Sequence, residues 1–123
     1  MFRTSLIPAL ALALVAFASV APPPAHAGAT YSSGVYTATV LGHDTNEYSF
    51  TFDGGAFASV SISGDGSTDL DLYVYDEDGN LIASNTNSID DASVSWVPIW
   101  TGQFTIHVVN RGRVYNDFVM SLN

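Results

Sequence analysis

The chain has 123 residues, a net charge of −9 at pH 7 and no cysteine. That length admits one domain, and the acidity argues against nucleic acid and anionic membrane surfaces as partners. The lack of cysteine excludes disulfide staples, so the fold must rest on packing or on a bound metal.

The chain opens on a secretory leader. Met1-Phe2-Arg3 is a short basic start, residues 6–20 are an apolar run of small residues and leucines, and Ala25-His26-Ala27 has the A-x-A form of a cleavage site. The run falls short of the ~20 apolar residues of a spanning helix, and Pro22-Pro23-Pro24 closes it. Residues 1–27 are therefore expected to be a signal peptide, cleaved before Gly28. No Cys follows for lipid attachment. The mature chain is expected to be secreted or periplasmic, with no membrane insertion after cleavage. It has no lysine and two arginines, Arg111 and Arg113, a balance that suits solubility or divalent cations.

Residues 28–34 are small and polar and read as a flexible lead-in. From residue 35 to 123 the hydropathy alternates with period two, the pattern of half-buried strands. Residues 35–41 are rich in β-formers. Tyr48, Phe50 and Phe52 alternate with Ser49 and Thr51, and Ala58, Val60 and Ile62 with serines. Leu70, Leu72 and Val74 alternate with Asp71, Tyr73 and Tyr75. Phe104, Ile106 and Val108 alternate with Thr105 and His107, and Phe118, Met120 and Leu122 close the chain. Shorter strands fit residues 81–84 and 92–96. Turn chemistry separates these runs: Asp53-Gly54-Gly55, Gly64-Asp65-Gly66-Ser67 and Asp76-Glu77-Asp78-Gly79-Asn80. The last of these is a hairpin and not an EF-hand, because its glycine stands fourth instead of sixth and the twelfth position is Asn87. About eight strands at short spacing predict an all-β antiparallel sandwich, jelly-roll-like. Its expected core holds Phe50, Val60, Leu70, Leu72, Val74, Phe104, Ile106 and Phe118.

Four segments, in their order and spacing, resemble the bacterial pre-peptidase C-terminal domain. They are Tyr48-Ser49-Phe50, Asp69-Leu70-Asp71-Leu72-Tyr73-Val74, Gly102-Gln103-Phe104-Thr105-Ile106-His107-Val108 and Phe118-Val119-Met120. The resemblance implies a small β-sandwich of the kind appended to secreted hydrolases and shared with the collagen-binding modules of secreted collagenases. It also implies a non-catalytic accessory role, in secretion or in contact with an insoluble substrate.

Asp69 and Asp71, two apart in a strand, point to one face, opposite Leu70 and Leu72. Asp65 lies four residues earlier on a glycine turn. The three carboxylates are candidate ligands for calcium, which takes six to eight oxygens. The alternative is that they cap turns by accepting backbone N–H groups. In the calcium-binding relatives an acidic segment before the first strand also supplies ligands, whereas residues 28–36 here contain no acid. Asp90-Asp91 reads as part of a solvated loop.

Two histidines follow the leader, His43 and His107, and neither has partners at metal-ligand spacing. There is no G-x-S-x-G nucleophile elbow and no H-E-x-x-H. Among the aromatics Trp96, Trp100, Tyr73, Tyr75 and Tyr115, the pair Tyr73 and Tyr75 falls opposite core residues and is the expected ligand-binding pair. Two functions are left standing. One is an exported, non-catalytic module that binds an extracellular protein or polysaccharide, and the other is a small secreted hydrolase or inhibitor on a sandwich scaffold.

Overall fold

The computed structural model describes residues 34–123. The signal peptide read over residues 1–27, and the lead-in up to residue 33, lie outside the described residues. Eight strands follow in order: β1 (Gly34–Val40), β2 (Thr45–Phe52), β3 (Ala58–Gly64), β4 (Leu70–Tyr75), β5 (Leu81–Asn85), β6 (Asp91–Trp96), β7 (Gly102–Asn110) and β8 (Asn116–Leu122). Gly34, read as lead-in, is instead the first residue of β1, because it pairs with Leu122 at the end of β8.

The strands form two four-stranded sheets, β1-β8-β3-β6 and β2-β7-β4-β5, antiparallel throughout. That order is the jelly roll, in which successive strands cross between sheets except at the β4–β5 hairpin and the termini lie side by side. The period-two alternation makes it possible. In β7, Phe104, Ile106 and Val108 are buried while Thr105 and His107 turn outward. Every strand but the edge strand β5 buries one face, so the two apolar faces close on each other. Phe50, Leu70, Leu72, Ile106, Met120, Val40, Val60, Val74 and Val108 are fully buried between them. All eight residues expected in the core are there. Phe52, Trp96 and Phe104 pack edge to face at one end, with Phe52 and Trp96 centroids 4.9 Å apart.

Asparagine amides stitch the edges. Asn46 on β2 donates to the Thr39 carbonyl of β1 (3.0 Å) and to the Tyr48 hydroxyl (2.9 Å). Burial pushes the Tyr48 phenol up to about 12. On the opposite side Asn85 reaches the Ser93 carbonyl (3.1 Å), and Asn87 the Asp91 carbonyl (2.8 Å). These bonds occupy carbonyls along the open edges of β1 and β6, where another chain would otherwise add. Asn110 and Asn116, both buried, do the same at one pole of the sandwich. Asn110 holds the Val40 and Val114 carbonyls.

Candidate functional site

The outer face of the second sheet is built by register. Glu47 on β2 pairs with His107 on β7, His107 with Tyr73 on β4, and Tyr73 with Ser84 on β5, so these four side chains form one row across the sheet. The next row runs Ser49, Thr105, Tyr75, Leu81, with a bulge between Val74 and Tyr75. Cross-strand neighbours of this kind touch. The His107 ring packs on Tyr75, centroids 4.8 Å apart, and Tyr75 stacks beside Tyr73 at 6.4 Å and 20°. His107 Nε2 lies 3.8 Å from Glu47 Oε2. Tyr73 and Tyr75 are each half-buried.

A shallow groove of about 450 Å³ runs along this face between Glu47, His107, Thr105, Tyr75, Asp76 and Glu77. Its far end is the β4–β5 turn. There Asp76 accepts the backbone N–H groups of Asp78 (2.9 Å) and Asn80 (2.8 Å), and Gly79 takes a positive φ of 84°. These bonds, those from Asn80 first, hold the Asp76 carboxyl below its usual value. His107 is held between the Glu47 carboxylate and the Tyr75 ring.

The three carboxylates read as calcium candidates have different surroundings. Asp65 turns its Oδ1 to Ser67 N (2.9 Å) and its Oδ2 to Asp117 N (3.0 Å), bonds that lower its pKa, the Ser67 hydroxyl first. It acts as a turn cap between β3 and β8. Asp71 is buried, with Arg111 Nε 3.8 Å from its Oδ2. Burial first, then the neighbouring Asp69, raise its pKa. Asp69 Oδ1 and Asp71 Oδ1 are buried without hydrogen-bond partners. Among the described residues no group of three His, Asp or Glu side chains is placed to hold a metal ion.

Other residues sit differently from the sequence reading. Asp90 is no solvated loop residue. Its Oδ2 accepts Gly66 N (2.6 Å) and Asn116 Nδ2 (3.0 Å), which clasps three segments together. His43 lies at the far pole with φ 56°, its N–H on the Gly112 carbonyl. Trp96 joins the core, while Trp100 and Tyr115 are more exposed than Tyr73 and Tyr75. The apolar run Val97-Pro98-Ile99-Trp100, which breaks the alternation, was the available signal for an exposed aromatic loop.

The family model of the bacterial pre-peptidase C-terminal domain matches residues 46–109, just over half of the chain and the stretch that builds the tyrosine face. The chain belongs to that family. Pre-peptidase C-terminal domains are non-catalytic modules of secreted proteases. The pre-peptidase C-terminal domain of the Bacillus anthracis collagenase shares the fold with a TM-score of 0.59 at 14% identity, over 74% of this chain and 89% of that one. Aeromonas hydrophila PliG, a periplasmic inhibitor of g-type lysozyme, shares it with a TM-score of 0.54 at 16% identity, over 75% of this chain and 87% of that one. A search of curated proteins returns no match.

Proposed function

We propose that this pre-peptidase C-terminal domain is an exported accessory module that binds and does not turn over its ligand. The observation that carries the reading is the Tyr73–Tyr75–His107 ladder on an open sheet face. Rings fixed by cross-strand packing offer rigid contact area at little entropic cost, to a sugar face or an extended peptide. Glu47, Asp76 and Glu77 along the same groove supply hydrogen-bond acceptors. The ligand class is an extracellular protein or polysaccharide, met outside the cytoplasm.

The test is co-sedimentation of the purified protein with insoluble collagen, chitin and peptidoglycan. Wild type is expected to sediment with one of them, and a folded Tyr73→Ala/Tyr75→Ala variant to stay in solution. Equal sedimentation of the two removes the tyrosine face from the account. Hydrolysis of any of these polymers, abolished by His107→Ala, would overturn the non-catalytic reading.

The likeness to a periplasmic lysozyme inhibitor supports a second reading, inhibition of a secreted hydrolase by an acidic domain. A g-type lysozyme assay separates the two, since inhibition at stoichiometric protein is expected only for the second.

A further inference from the structure

The pole of the sandwich where β2, β4 and β6 end carries a braced apolar tip. Phe57 is 63% exposed, Val97 57%, Ile99 88% and Trp100 56%. Two of them are neighbours by construction. Ala58 pairs with Trp96, so Phe57 and Val97 follow side by side where β3 meets β6. The two loops that carry them are tied together. Gly55 N donates to the Pro98 carbonyl (2.7 Å), and Gly54 N to Thr101 Oγ1 (2.9 Å). The Trp100 backbone lies so close over Gly54 that a Cβ there would meet its Cα at 2.6 Å. Loops bonded this way hold their apolar side chains in water, where four large ones at one pole mark a contact surface.

Charge around the tip decides what fits it. Asp53, Asp76, Glu77 and Asp78 lie in the loops of this pole, and Glu77 and Trp100 both crowd Gly102, with Glu77 Oε1 3.1 Å and the indole Cδ1 3.6 Å from where a Cβ would stand. Arg111 and Arg113 sit in the β7–β8 loop at the opposite pole. An anionic membrane would be repelled by this rim. A second copy of a chain with net charge −9 would be repelled as well. We infer that the tip docks a polypeptide segment presenting apolar side chains flanked by lysine or arginine. Asp76 and Glu77 are shared with the groove of the tyrosine face, but the four apolar side chains of the tip lie outside it, and the inference does not rest on that face.

Trp100 reports on its own site. In a Trp96→Phe variant it is the sole indole of the chain. Should that variant fail to fold, wild type read against Trp100→Phe gives the same signal. The free protein is expected to emit as a solvent-exposed indole and to shift to the blue on titration with a leucine–lysine peptide, saturably and less tightly in high salt. Ile99→Ser is expected to weaken that affinity at least tenfold, while Leu41→Ser/Val114→Ser at the other pole leaves it unchanged. Five results overturn the inference. They are emission already blue-shifted in the free protein, a shift that grows with protein concentration alone, a shift with phosphatidylglycerol vesicles and not the peptide, an equal shift with a leucine–glutamate peptide, and equal loss from tip and far-pole variants.

Discussion

Asn116 at the start of β8 donates its side-chain amide to the Asp90 carboxylate, 3.0 Å away and 26 residues earlier in the chain. Asn116 is fully buried, and the same amide also reaches Thr68 Oγ1 at 3.1 Å while its Oδ1 accepts Asp65 N at 3.1 Å. One side chain thus joins the loops after β3 and β5 to β8.

Removing that side chain strands buried polar groups, which costs ~1–3 kcal/mol. Asn116→Ala should lower the melting temperature by about 4–8 °C per kcal/mol lost, as for domains of 60–100 residues. Asn116→Asp should cost more, because it sets a carboxylate against Asp90. Differential scanning calorimetry at pH 7 measures both, and an unchanged transition in both variants would show the clasp to be idle.

Leu72 is fully buried at the centre of β4. Leu72→Ala should destabilise by roughly 2–5 kcal/mol through lost transfer energy and the cavity left behind. Urea unfolding should show a lower midpoint at an unchanged slope.

Asp71 gives the pH dependence an unusual sign. Burial and Asp69 raise its pKa in the folded state, so the ionised form is held less well in the fold than in the unfolded chain. The penalty is absent below the unfolded pKa, near pH 4, and complete above the folded one. Asp71→Asn should therefore raise the melting temperature at pH 7, with the gain vanishing below about pH 4. Asp65 and Asp76 run the other way. Their pKa values are lowered in the fold, so their contribution is present above the ordinary carboxylate range and lost as pH falls through their folded values. A melting series from pH 2 to 8 on wild type and Asp71→Asn checks both signs.

Calcium is expected to leave stability unchanged, because Asp65 is spent on Ser67 and Asp117. Melting curves in millimolar calcium and in EDTA should coincide. A higher transition with calcium would mean that oxygens beyond the three carboxylates complete a shell around Asp69 and Asp71.

The sandwich was legible in the sequence because burial in a strand is a local property. Leu70, Leu72 and Val74 alternate with Asp71, Tyr73 and Tyr75 within six residues, and the whole core follows from such runs. The outward placement of Tyr73 and Tyr75 was legible for the same reason. Partnership is not local. Nothing near Asp90 marks it as the acceptor for Gly66 and Asn116, and nothing near Asp65 says that its oxygens go to Ser67 and Asp117. The carboxylates were read as a cluster from spacing in one segment, while their fate depends on β8, some fifty residues on. The braced tip falls between the two cases. Its apolar run is visible in residues 97–100, but the loop that supports it lies over forty residues earlier.

The asparagine amides that tie the two sheets give this domain a particular chemical lifetime. A cystine-stapled module outside the cytoplasm fails by reduction; with no cysteine, this chain is indifferent to thiols. Asparagine is instead among the residues that degrade on heating, by hydrolysis of the side-chain amide. Each such event at Asn46, Asn85, Asn110 or Asn116 would replace an N–H donor with a carboxylate facing the acceptor it once held. The module should therefore age by slow deamidation that opens its edges one at a time, starting at the exposed Asn87 and the half-buried Asn85 beside it and reaching the buried Asn116 last.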